Sequence, residues 1–177
     1  RTLRDEAAGA LAGLFALQQE AESVAAAIAQ AEDDAERRRL VGRYDHLHHQ
    51  LERQEAYNLD HKIERVLEGL GFGADRVAQP VESLSGGEQN RLLLAKLLLA
   101  EPNLMLLDEP SNHLDIASTE WLENFLVDSS AAMLVVSHDR WFLDKVTDRT
   151  LELFRGTVDS YAGNFSAYCR QKQERLL

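Results

Sequence analysis

Leu104-Met105-Leu106-Leu107-Asp108-Glu109-Pro110 decides the fold. Four apolar residues follow the turn at Pro102-Asn103 without interruption and stop at two adjacent carboxylates. A short continuous apolar run between turn residues has the pattern of a strand buried on both faces of a parallel sheet. Ala132-Met133-Leu134-Val135-Val136 repeats that pattern. Between the two, Asp115 is placed to cap a helix carrying Trp121, Leu122, Phe125 and Leu126 at three- and four-residue spacing. The order strand, helix, strand is a crossover unit, which joins parallel strands and brings their carboxyl ends to one edge. The fold class is therefore α/β.

Working outward, Ser85-Gly86-Gly87-Glu88 has the form of a capping box ahead of the leucine-rich stretch 92–99, and Glu101-Pro102 ends that helix. Further upstream, a helix over about 59–69 should stop in Gly69-Leu70-Gly71-Phe72-Gly73, where left-handed backbone costs little. Apolar residues at Ala7, Leu11, Leu14, Ala21, Val24 and Ile28 predict one long amphipathic helix over about 3–31. After the charged stretch 32–39, Leu40, Tyr44, Leu47 and Leu51 resume a narrow stripe suited to an antiparallel helical hairpin. Downstream, Leu151-Glu152-Leu153-Phe154, Arg155-Gly156 and 157–161 predict a β-hairpin. From about Ser166 the pattern is helical and strongly charged.

Composition sets limits on function. With 177 residues, 45% of them hydrophobic, the chain can bury a real core. A formal net charge of -11 argues against a general grip on nucleic-acid backbone, which needs lysine and arginine against phosphates. Cys169 is the one cysteine, which excludes an internal disulfide, and no signal-like or membrane-spanning apolar segment is evident. A cytoplasmic, membrane-free setting is expected.

The candidate chemistry lies at the strand ends. A carboxylate there, Asp108, is well placed to hold magnesium, and its neighbour Glu109 to orient or deprotonate a water. The plainer reading of Asp108-Glu109-Pro110 is a strand terminus and a turn. His138, in Ser137-His138-Asp139-Arg140 after the second strand, is within reach of a phosphate or its water, although a lone histidine is more often a packing or surface residue. Ser85, Gly86 and Gly87 offer backbone amides and a hydroxyl at a helix N-terminus, an anion site or an ordinary glycine-rich turn. His46, His48, His49 and His61 lie in charged helix without ligand spacing and are not assigned to a metal. Arg37-Arg38-Arg39, at the hairpin tip, is either an RNA contact or a solvated face.

In this order and spacing the pieces resemble ABC-type ATPases. Leu84 to Gln89 is similar to the signature loop, Leu104 to Glu109 to the Walker B strand, Ser111-Asn112-His113-Leu114-Asp115 to the D-loop, and His138 to the switch histidine. The resemblance implies a partial P-loop NTPase domain with ATP and Mg2+ as cofactors. Asp108 would hold magnesium, Glu109 would be the catalytic base and His138 would sense the γ-phosphate. Ser85, Gly86, Gly87 and Glu88 would meet an ATP bound to a second ABC domain, beside the D-loop residues Asn112, His113 and Asp115. Trp121-Leu122-Glu123 and Gly163-Asn164-Phe165-Ser166-Ala167-Tyr168 narrow the resemblance to the ABC-F class, soluble ATPases that work on the ribosome or in related cytosolic roles. The implied organisation is an α-helical arm over 1–57, a helical signature subdomain over 58–102, a Walker B, D-loop and switch core over 103–163, and the start of an interdomain linker helix over 164–177. The run past Tyr168 into a charged helix leans toward the first of two ABC domains.

One departure stands out. No Gly-x-x-x-x-Gly-Lys-Ser/Thr run occurs, so the loop that cradles phosphates is not in this sequence, and weak ATP binding by the chain alone is expected. Its opening at Arg1, about where the arm should begin, fits a truncated or split product. Two apolar strands without neighbours should pair with a second chain, as in a homo-oligomer, or be covered by repacked helices. Two other classes remain open: the ATPase subunit of a membrane transporter, and a non-catalytic interaction module.

Overall fold

A computed structural model describes residues 1–54, 56 and 58–175. Position 57, the expected end of the arm, and positions 176 and 177, the expected end of the linker helix, lie outside the described residues. The chain opens with α1 (Leu3–Ala8), which Thr2 and Asp5 start with a reciprocal capping box. A 3-10 turn at Gly9–Leu11 leads into α2 (Ala12–Gln30), and α3 (Asp34–Arg53) returns along it. Helices α4 (Leu59–Gly69) and α5 (Gly86–Ala100) follow, joined by an irregular segment. Then come β1 (Leu104–Asp108), α6 (Ile116–Asp128), β2 (Ala132–Val136) and α7 (Arg140–Val146). A hairpin of β3 (Arg149–Phe154) and β4 (Thr157–Ala162), then α8 (Phe165–Arg175), complete the order.

The predicted continuous helix over 3–31 is broken at Gly9–Leu11. Glycine loses the most backbone freedom in a helix, so the break falls where helical propensity is weakest. Leu11, within the break, lies in the core with Leu3 and Ala7, all three essentially buried. The piece before the break is tied away from the hairpin. Leu3 N–H donates to the Gln79 carbonyl at 2.8 Å, Arg4 N–H to that of Val77 at 3.1 Å, and Thr2 forms an isolated bridge with Pro80. The hairpin itself matches its stripe: Ala21, Val24, Leu47 and Leu51 are buried, and Arg43 pairs with Glu20 across it.

Strands β1 and β2 pair in parallel with Leu104 opposite Ala132 and Asp108 opposite Val136. Burial on both faces, expected from the apolar runs, is not found. Met105 and Leu107 enter the core with Leu98, Leu122 and Leu126, whereas Leu104, Leu106, Leu134 and Val136 are between 49% and 68% exposed. Each strand alternates, and no described element covers the outer face, so the chain's helices do not repack over it. The physical reason is that a continuous apolar run reports what a strand can bury, and two strands with helices on one side can bury only one face. The hairpin agrees with expectation: Arg155 and Gly156 both have positive φ, 48° and 82°, which is the turn that matches strand twist.

Gly69 is where α4 meets α6. A Cβ added there would lie 2.1 Å from the Trp121 ring, closer than any real contact. Gly69→Ala is therefore expected to destabilise the chain by about 1–3 kcal/mol despite the better helix propensity of alanine. Combining it with Trp121→Leu should cost less than the sum of the two single changes; urea denaturation of the four proteins checks this.

Candidate functional site

Parallel pairing makes Glu109 and Ser137 the first residues past the two strand ends, side by side at one edge. Glu109 N–H donates to the Val136 carbonyl at 2.7 Å, adding one rung beyond the strands. Its backbone is left-handed, φ 48°, as is that of His113, φ 69°. Neither residue is glycine, so each conformation costs on the order of 1–3 kcal/mol and persists only where surroundings enforce it. The bend turns the Glu109 carboxylate back toward the second strand end. There His138 Nδ1 lies 2.8 Å from Oε2, the His138 backbone N–H donates to Oε1 at 3.1 Å, and the Ser137 hydroxyl donates to Oε2 at 3.4 Å. The hydrogen bond and charge of Glu109 raise the His138 pKa above its ordinary 6.5, although the imidazole is 80% exposed.

Asp108 is exposed beside this pair, and no hydrogen bond or ion pair engages its side chain among the described residues. An open cleft of about 400 Å³ runs from the apolar Leu93 and Leu106 to the polar Asp108, Glu109, Asn112 and His113. Asp115 is placed differently: it caps α6, accepting from Ser118 N–H at 2.7 Å, and that bond holds its carboxyl below the usual range. Its observed contacts are those of a structural cap. Asp139 caps α7 in the same way, through Trp141 and Phe142 N–H.

The glycine-rich segment comes into contact with this edge. A Cβ added to Gly87 would meet the His113 side chain at 3.4 Å, while nothing lies within 4 Å of one added to Gly86. Ser85 caps α5 in the predicted capping box, accepting from Glu88 N–H at 3.4 Å. The Ser85 hydroxyl and backbone N–H both donate to Glu88 Oε2, at 2.7 and 2.8 Å. Those bonds, with the Arg76 guanidinium 2.6 Å from Oε1, hold Glu88 at about 2.

Three participants were not singled out from sequence. Arg91, one helical turn beyond Glu88, was open to an i,i+3 reading. Arg76 reaches Glu88 across an irregular loop and left no local signal. Ser137 gave none beyond its place next to His138. The remaining candidates lie elsewhere. His49 is 3.3 Å from Glu52, His46 bonds Gln50 and His48 stacks on Tyr44. Among the described residues no group of three or more His, Cys, Asp or Glu could hold a metal ion. At the hairpin tip, Arg37 donates to the Ala31 carbonyl and Arg38 to that of Asp34, so both serve local backbone acceptors.

The arrangement has definite chemical capacities. A carboxylate held by an imidazolium and a hydroxyl can orient a water, and the charged ring can face an anion. Asp108, with its oxygens free, suits a hard cation that keeps most of its waters, so magnesium fits the donor set. A nucleotide fits only in part: the edge can meet a terminal phosphate, but a loop of amides and a lysine to cradle the chain of phosphates is not in this sequence.

Residues 10–112 match the family model described as ABC transporter, more than half of the chain. The energy-dependent translational throttle protein EttA of Mycobacterium tuberculosis is 44% identical over 137 residues, 77% of this chain and 24% of that protein. ABC transporter F family member 5 of Arabidopsis thaliana is 36% identical over 175 residues, 98% of this chain and 25% of that protein. The chain thus spans about a quarter of the length of these curated relatives. Among solved structures, the ATP binding subunit of an ABC transporter shares the fold with a TM-score of 0.60 at 17% identity, covering 98% of this chain and 57% of that one. No helix among the described residues is long and apolar enough to cross a membrane.

Because Glu109 raises the His138 pKa, the pair stabilises the folded chain below pH 6.5, and the contribution is lost as pH rises through the raised folded-state value. Glu109→Gln should return the imidazole toward 6.5. Nuclear magnetic resonance titration of the His138 ring in both proteins checks the direction; identical midpoints would sink the assignment.

Proposed function

The chain belongs to the ABC transporter family and stands among ABC-F relatives, and from that premise we propose that it forms the water-activating and signature half of an ATPase site. In this reading two ABC domains of the intact protein enclose two ATP molecules, and hydrolysis lets the domains part. The observation that carries it is the Glu109 to His138 contact, 2.8 Å, at the shared carboxyl edge of two parallel strands.

Each residue has a stated task. Asp108 would hold magnesium through its carboxylate, the ion keeping most of its waters. Glu109 orients the attacking water and takes its proton, and the His138 imidazolium faces the terminal phosphate oxygens. Bound ATP with magnesium supplies a phosphoryl group whose transfer is limited by positioning and charge stabilisation. Ser85, Gly86, Gly87 and Glu88 belong to the surface that meets an ATP held by the second domain, and Asn112, His113 and Asp115 form the turn that separates the two sites.

The proposed partner is the ribosome, in the cytoplasm, and the second ABC domain of the intact protein. The similarity to a translational throttle protein supports that reading. The division into arm over 1–57, signature subdomain over 58–102, core over 103–163 and linker over 164–177 belongs to the same proposal. So does placement as the first of two ABC domains.

Two measurements test it. In the full-length protein Glu109→Gln should lower ATP turnover by about 10²–10⁴-fold and accumulate the closed, ATP-bound form; unchanged turnover removes Glu109 as the base. Calorimetric titration of this chain alone with magnesium-ATP should show at most weak binding, and clear micromolar affinity would mean that these residues hold the phosphates unaided.

A further inference from the structure

The segment between α4 and α5 carries a cluster that the proposed chemistry does not use. Phe72, 1% exposed, has the Arg91 guanidinium 5.0 Å from its ring centroid and that of Arg76 at 6.0 Å. Arg76 also grips Gln79 Oε1 through Nε at 2.9 Å and Nη2 at 2.7 Å. Its position is therefore fixed by a ring below and an amide beside it before it reaches Glu88 Oε1 at 2.6 Å. The other oxygen of that carboxylate receives both the hydroxyl and the backbone N–H of Ser85.

The charged groups facing Glu88 are Arg76 and Arg91. Arg91 cannot take over from Arg76. One of its terminal nitrogens donates to the Leu70 carbonyl at 3.1 Å, the other stands 3.9 Å from Glu88, and its buried Nε has no partner. A guanidinium committed to a carbonyl and a ring is not free to move over.

We infer that Arg76 is a positioning residue: through Glu88 it fixes the orientation of the Ser85 hydroxyl and the first amides of α5. This deepens the proposed ATPase reading and rests on it, because the hydroxyl matters for turnover only if Ser85 meets a nucleotide. The geometry gives the route. With Arg76 on Oε1, both carboxylate oxygens are fixed and Oε2 faces Ser85 in one direction; without it, only the Ser85 bonds to Oε2 hold the group, Oε1 is released, and the Ser85 rotamer is less narrowly set. The same irregular loop is bonded to the start of α1 through Val77 and Gln79, so the hold on Ser85 extends to the first residues of the chain.

The test uses the full-length protein with Arg76→Gln, Arg76→Lys, Ser85→Ala and the Arg76→Gln/Ser85→Ala pair, measuring kcat and KM for ATP and the thermal midpoint. Arg76→Gln should lower kcat about threefold to tenfold, with KM changed by less than about twofold. Arg76→Lys should recover most of the loss, and the double variant should be no slower than Ser85→Ala alone. Wild-type kcat in Arg76→Gln, additive losses in the double variant, or a loss that only tracks a lowered thermal midpoint would each overturn the inference. Full turnover in Ser85→Ala would instead overturn the reading of the signature loop, and the positioning role with it.

Discussion

Everything at the candidate site depends on the parallel pairing of β1 and β2. Each strand has five residues, so reversing one would carry its carboxyl end about 16 Å away, the length of the strand. Parallel pairing instead leaves Asp108 opposite Val136, and the next residues of each chain segment meet directly. The α6 crossover enforces that direction. Leu122 and Leu126 pin it to the same core that buries Met105 and Leu107. The chemistry is thus a by-product of how an apolar helix packs on one face of two strands.

Four carboxylates gather at this edge, and their division of labour follows from backbone geometry. Asp115 and Asp139 each precede a helix and are consumed by unpaired amides there. Asp108 has no such amides within its own turn. Glu109, bent by its left-handed backbone, is aimed across the edge at the neighbouring strand's terminus. A net charge of -11 says nothing of this, since carboxylates serve as caps, as an acceptor for a histidine or stand exposed without a side-chain partner according to the turn that carries them.

The sequence was most legible where the signal is local. Ser85 and Glu88 form the capping box, the stripe from Leu40 to Leu51 builds the hairpin, and Arg155-Gly156 makes its turn, because each depends on residues within one or two turns of chain. It was least legible where neighbours decide. Leu104 and Leu106 are as apolar as Met105 and Leu107, so no pattern distinguishes the covered face from the open one. The regular apolar spacing over 3–31 carried no sign of the turn at Gly9–Leu11, after which α1 bonds to 77–80 rather than to the hairpin. At the candidate site, the placement of Asp108, Glu109 and His138 just at the two strand ends was readable, whereas the arginine that holds Glu88 sits twelve positions upstream with no periodic relation to it.

The attachment of α1 to the loop before α5 also has a mechanical side. Helix α2 has 19 residues, which makes the hairpin about 28 Å long. Its base is joined, through the Gly9–Leu11 turn and the bonds of Leu3 and Arg4, to the segment that carries Arg76. A stiff rod anchored at one end acts as a lever, and displacement grows in proportion to distance from the pivot. A tilt too slight to disturb any hydrogen bond at Ser85 would sweep Arg37 and Arg38 through several times that distance, and a load applied at the tip would return to the base as torque.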